Sequence, residues 1–133
     1  MPTWRRKMAD KFWYTAKVLG VVDGDTVDLL VDVGFDIHFQ IRVRLHGVNT
    51  PESRTTNKLE KAAGLKAKEF VKHWAEENPV VFINTIADKK EKFGRILAKI
   101  YSDEKLSSCL NEELITKGFA KAYFGEKKEE FTS

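Results

Sequence analysis

The chain has 133 residues, 42% hydrophobic and 32% charged, a balance that suits one domain and excludes both a disordered polyampholyte and two ordinary domains. Its 23 basic against 20 acidic residues leave a formal net charge of +3; Arg5, Arg6, Lys7 and Lys11 against Asp10 put that surplus in residues 1–11, a basic arm ahead of a neutral body. Cys109 is the single cysteine, so an internal disulfide is ruled out; no membrane span is read, and the start MPTWRRKMADKFW lacks the apolar run of a secretory signal, so intracellular or cytoplasmic action is expected.

The folded body is expected over 12–125. Phe12–Val22, rich in β-branched and aromatic residues, reads as a strand that meets a second, Thr26–Val33, at Asp23-Gly24-Asp25. Val27, Leu29, Val31 and Val33 share one side of that second strand, and a Gly34-containing link fits a hairpin. Residues 37–48 carry the clearest alternation: Ile37, Phe39, Ile41, Val43 and Leu45 are interleaved with His38, Gln40, Arg42, Arg44 and His46. That is the pattern of a half-buried strand.

From Lys58 to Glu77 the period changes. Leu59, Ala63, Ala67, Phe70 and Trp74 follow steps of three and four, an apolar helical stripe opposite Lys58, Lys61, Lys68 and Lys72, and Asn78-Pro79 ends the helix. Val80–Ile86 and Gly94–Tyr101 read as two more strands around the charged link Ala87–Phe93. A short helix over Leu110–Lys117 is expected to start near Ser107 or Ser108 and stop at Gly118, ahead of a polar tail over 126–133. Trp13 and Trp74 are assigned to the core. Three strands, a helix, two strands and a helix predict an α+β fold, a five-stranded OB-type β-barrel with two helices.

Three segments carry possible chemistry, and each alone has an ordinary structural use. Asp23-Gly24-Asp25-Thr26 makes a hairpin turn, yet its carboxylates suit a hard cation. Arg44 lies on the polar side of its strand, with Glu52 eight residues on, beyond Asn49-Thr50-Pro51; such an acid orients or deprotonates water while a guanidinium holds phosphate. Lys92-Phe93-Gly94-Arg95 turns into the last strand and sets Arg95 at its beginning. His38, His46 and His73 have no paired metal-ligand spacing.

Taken in order, these three segments, together with Asn111-Glu112-Glu113-Leu114 and Gly118-Phe119-Ala120-Lys121, resemble the thermonuclease (staphylococcal nuclease) family over roughly 15–123. The resemblance implies a calcium-dependent endonuclease on an OB barrel that cleaves DNA and/or RNA phosphodiesters at the 5′-oxygen, leaving 3′-phosphates. It implies Asp25 and the Thr50 carbonyl as calcium ligands, Asp23 as a nearby acid behind them, Glu52 as general base, and Arg44 and Arg95 as the phosphate-gripping pair. Lys92, Phe93 and Tyr123 match nucleotide contacts, with Phe93 standing where the family has a tyrosine. At Asn49 an amide replaces a ligand aspartate, which predicts weaker calcium binding or use of Mg2+ or Mn2+. That substitution is also the one argument for the alternative, a noncatalytic nucleic-acid or protein-binding module. The family's third helix is expected to be absent or a short stub, and a monomer without membrane attachment is expected.

Overall fold

A computed structural model describes residues 12–53, 55–90 and 95–123, the side chains of 87–90 excepted. The basic arm, Lys92, Phe93 and the polar tail lie outside the described residues. The elements run β1 (Phe12–Asp23), β2 (Thr26–Asp32), β3 (His38–Leu45), β4 (Val48–Asn49), α1 (Lys58–Glu77), β5 (Val80–Lys90), β6 (Ile96–Tyr101), α2 (Leu110–Thr116) and β7 (Lys121–Ala122).

Strand alternation closes into a barrel in the order β1-β2-β3-β6-β5. Neighbours are antiparallel except where β3 meets β6, which pair in parallel through Val43–Ile96 and Leu45–Ala98. Closure removes the unpaired edges that an open sheet would present. Leu29, Val43, Leu45, Ile83 and Ile100 point inward with at most 1% of their surface exposed. Each contributes about 1.5–3 kcal/mol by leaving water. The five-stranded OB-type α+β barrel expected from the sequence is the fold observed.

The helix α1 spans Lys58–Glu77 as its periodicity predicts, with Asn57 as N-cap accepting from the Glu60 N–H at 3.0 Å. It buries Gly64, Ala67, Val71 and Trp74. The indole N–H of Trp74 donates to Glu113 Oε2 at 3.1 Å, Ser108 Oγ donates to the same oxygen, and Lys117 Nζ lies 3.5 Å from Glu113 Oε1. Burial pushes the Glu113 carboxyl up, but those hydrogen bonds and the lysine charge outweigh it and hold the group below its ordinary range. This cluster joins α1 to α2. The serine expected to cap α2 is spent there; Cys109 takes the N-cap position with no side-chain cap, and Gly118, at φ 81°, ends the helix as expected.

Several positions depart from the simple alternation. The strand expected over 37–48 stops at Leu45, because Gly47 takes φ 80° and turns the chain into the short β4, which pairs with β7. Ile37 and Phe39 are 55% and 50% exposed. The parallel pairing with β6 reaches only Val43–Leu45, so among the described residues the first half of β3 has β2 alone as a strand neighbour. Leu59, in the first turn of α1, is also exposed. Trp13 is half-buried on the outside of the barrel, stacked on Phe82 at 5.1 Å and near Tyr101 at 5.6 Å, since Tyr14 and Ala16 take the inward direction.

Where β3 leaves the barrel, a side chain takes over its hydrogen bonds. Ala98 C=O still receives the His46 N–H at 2.8 Å, while Asn111, 3% exposed, donates to the carbonyls of His46 and Ala98 at 2.8 and 3.1 Å and accepts from the Ile100 N–H at 3.1 Å. Buried backbone groups need such partners. The amide thus extends the sheet by one bonding step past the last strand pair.

Candidate nuclease site

The β1–β2 turn places two acids two residues apart and sends them to different partners. Asp23 pairs with Thr26 across the turn after a bulge between Val21 and Asp23, the kind of irregularity that re-aims side chains next to functional sites. Asp23 Oδ1 accepts from the hydroxyl of Ser53 and from its N–H at 3.4 Å. Asp25 accepts from Thr26 Oγ1 at 3.0 Å and, through Oδ2, from the Thr50 N–H at 3.2 Å. Both acids therefore tie the turn to the 49–53 segment.

Glycine at position 24 is required by that approach. A Cβ there would lie 2.8 Å from Ala67 Cβ and 3.0 and 3.1 Å from the Thr50 side chain. Thr50 is 2% exposed, and its Oγ1 has no hydrogen-bond partner among the described residues.

Arg44 completes the cluster. Val43 and Leu45 are inside the barrel, so Arg44 stands on the outer side. Its Nη1 donates to the carbonyls of Leu45 at 3.0 Å and Val48 at 2.7 Å, both aimed at it by the turn at Gly47, and its Nη2 lies 3.6 Å from Asp25 Oδ2. Each of the two side chains is only 13% exposed. The guanidinium is thereby fixed before any ligand arrives, by two carbonyls and one carboxylate. In contrast, Arg42, two residues earlier, is engaged by Asp28 at 2.8 Å, and the hydrogen bond and charge of that aspartate raise its pKa.

The remaining candidate residues are placed as follows. Glu52 is exposed between buried Pro51 and Ser53. Asn49 is 4% exposed and pairs with Lys121 in the β4–β7 ladder. Tyr123 is fastened there too, its N–H donating to the Gly47 carbonyl at 2.9 Å. Arg95 immediately precedes Ile96, the partner of Val43, so it enters the barrel beside the strand that carries Arg44. Burial lowers the pKa of His46, and the charges of Lys99 and Arg44 lower it further. The structure thus joins Asp25, Arg44 and Thr50 directly and Asp23 through Ser53. Ser53, bonded to Asp23, and Gly64, packed against the Glu52 carbonyl, carry no signal in the sequence that singles them out.

No group of three or more His, Cys, Asp or Glu gathers around a point among the described residues. The donors shown beside Asp25 are hard: its own carboxylate and the Thr50 backbone, with Asn49 the residue before Thr50 in the same segment. Such a set suits a hard divalent cation and excludes a thiolate- or imidazole-type centre.

The site is thus a barrel rim that carries an arginine locked to a carboxylate, with a second acid on the adjacent loop. The family description "Staphylococcal nuclease homologue" matches residues 42–133. The chain belongs to the staphylococcal nuclease family. It is 35% identical to an uncharacterised protein of Methanocaldococcus jannaschii over 89% of this chain and 64% of that one. With a thermonuclease of Staphylococcus hyicus it shares 33% identity over 83% of this chain and 60% of the relative. Endonuclease YhcR of Bacillus subtilis is 28% identical over 84% of this chain but only 9% of its own length. The chain therefore spans about three fifths of the first two relatives. No described helix is long and apolar enough to cross a membrane.

Proposed function

We propose that the protein is a divalent-metal-dependent endonuclease that hydrolyses DNA and/or RNA phosphodiesters at the 5′-oxygen and leaves 3′-phosphates. The observation that carries this reading is the Asp25–Arg44 pair, 3.6 Å apart and tied by Thr50 to the loop of Glu52. A phosphodiester is an anion, and its transition state gathers further negative charge. Arg44 and Arg95 bind the phosphate oxygens and stabilise that charge in place. Glu52 accepts a proton from the attacking water at its carboxylate. Asp25, the Thr50 carbonyl and the Asn49 amide oxygen would hold Ca2+, with Mg2+ or Mn2+ as substitutes. When bound, the cation supplies positive charge to the phosphate and to the nucleophile. Lys92, Phe93 and Tyr123 are the proposed nucleotide contacts, Phe93 by stacking alone.

Asn49 favours a second reading, a noncatalytic nucleic-acid or protein-binding module, because it removes one charge from the ligand set. Plasmid nicking separates the two readings. Cleavage with Ca2+, Mg2+ or Mn2+ that chelator abolishes and Glu52→Gln impairs supports the enzyme. Failure with every cation, or a Glu52→Gln protein as active as the parent, supports the binding module.

A further inference from the structure

We infer that the Gly64–Ala67 face of α1 is a gauge that sets Glu52 relative to Asp25, with Gly64 as a positioning residue for the catalytic carboxylate. The inference rests on the proposed role of Glu52. Gly64 is buried, and a Cβ there would lie 2.4 Å from the Glu52 carbonyl oxygen, 2.5 Å from its carbonyl carbon and 2.7 Å from the Ser53 nitrogen. All three are backbone atoms, so no side-chain rotation relieves the overlap. Either the loop or the helix must shift.

Two further contacts hold the same loop. One turn earlier, Glu60 Oε1 accepts from the Glu52 N–H at 3.4 Å, and Asn57 fixes Glu60 by capping its own N–H. At the next residue of the loop, Ser53 donates to Asp23. Glu52 is therefore held at its amide by Glu60 and at its carbonyl by Gly64, four residues apart on one helical face. Three residues beyond Gly64, Ala67 meets Gly24, the residue between Asp23 and Asp25, with a Cβ-to-Cβ distance of 2.8 Å if Gly24 carried one. The helix touches both acid-bearing segments through residues too small to push either away. Helix propensity favours alanine over glycine in the interior of α1, so glycine at 64 is explained by the loop it faces and not by the helix.

The test compares Gly64→Ala with Gly20→Ala, a control in β1 whose added Cβ meets nothing within 4 Å. Gly64→Ala is expected to lower kcat by about 10- to 100-fold, because an ångström of misplacement costs that order of rate, with KM and Ca2+ affinity held within about twofold, since the Asp25–Arg44 pair is left intact. Gly20→Ala changes neither. NMR amide shifts and hydrogen exchange on metal-free protein give a readout that needs no turnover: Glu52 and Ser53 move and lose protection in Gly64→Ala only. Should Gly64→Ala fail to fold, Glu60→Ala replaces it, with kcat down about 2- to 10-fold for one lost hydrogen bond and restored in Glu60→Gln, whose amide oxygen still accepts. Parental kcat in Gly64→Ala, or unmoved Glu52 and Ser53 amides, overturns the inference. A parent that cleaves nothing refutes the proposed function instead, while the amide measurement still decides the role of Gly64.

Discussion

Removing the Asn111 amide should cost more than any exposed polar substitution. In Asn111→Ala the His46 carbonyl and the Ile100 N–H lose the partners they have at 2.8 and 3.1 Å, whereas Ala98 C=O keeps the His46 N–H. Loss of the amide from the buried Ile100 N–H and the part-buried His46 carbonyl, at about 1–3 kcal/mol each, gives roughly 2–6 kcal/mol. That is a large share of the roughly 5–15 kcal/mol that a domain has in all. Equilibrium urea unfolding measures it: with a slope of about 2 kcal/mol/M, the midpoint should fall by about 1–3 M. The loss should also loosen the turn whose Leu45 and Val48 carbonyls anchor Arg44, so binding of a nucleotide phosphate should weaken. A midpoint shift below about 0.3 M would refute the claim that Asn111 stands in for a strand.

Three other outcomes are expected. Asn49→Asp should tighten Ca2+ binding by about tenfold or more, because affinity rises with ligand charge, and should lower the melting temperature of the metal-free protein, since residue 49 is buried; calorimetry showing unchanged or weaker Ca2+ binding contradicts the ligand role. Folded Glu113 ionises more readily than the unfolded residue, so its contribution is complete above its ordinary value of 4.5 and is lost as pH falls through its lower folded value. Urea midpoints for Glu113→Gln should accordingly fall less steeply than the parent's below pH 4.5, and parallel curves refute the assignment. Deleting residues 1–11 should weaken DNA binding and flatten its dependence on salt by about 0.9 in log–log slope for each phosphate released; an unchanged slope makes the arm a spectator.

Elements were legible where a single periodicity governs them. Leu59 to Trp74 in steps of three and four, closed by Asn78-Pro79, locate α1 at its observed bounds, although of that stripe only Ala67 and Trp74 are buried and Gly64 and Val71 complete the packed face. The same reasoning carries β3 too far, since alternation is blind to the positive φ of Gly47 that ends the strand and starts β4. It also assigns Ile37 and Phe39 to the core, because alternation does not reveal how far the next strand extends. The acids and arginines were recognisable as types in order. What fixes them was not: the Leu45 and Val48 carbonyls on Arg44, the Ser53 link to Asp23, and the bare Cα of Gly64 arise only when distant segments meet. A glycine inside a helix reads as a weak helix former until the loop that presses on it is seen.

In the proposed reaction Glu52 takes the proton from water while the arginines hold the phosphate. Single-turnover cleavage of an end-labelled oligonucleotide by the parent and by Glu52→Gln, with Ca2+ and with chelator, tests it most directly. Ca2+-dependent products ending in 3′-phosphate are expected, with a rate about 100- to 10,000-fold lower for Glu52→Gln. Equal rates in the two proteins, or products ending in 3′-hydroxyl, would contradict it.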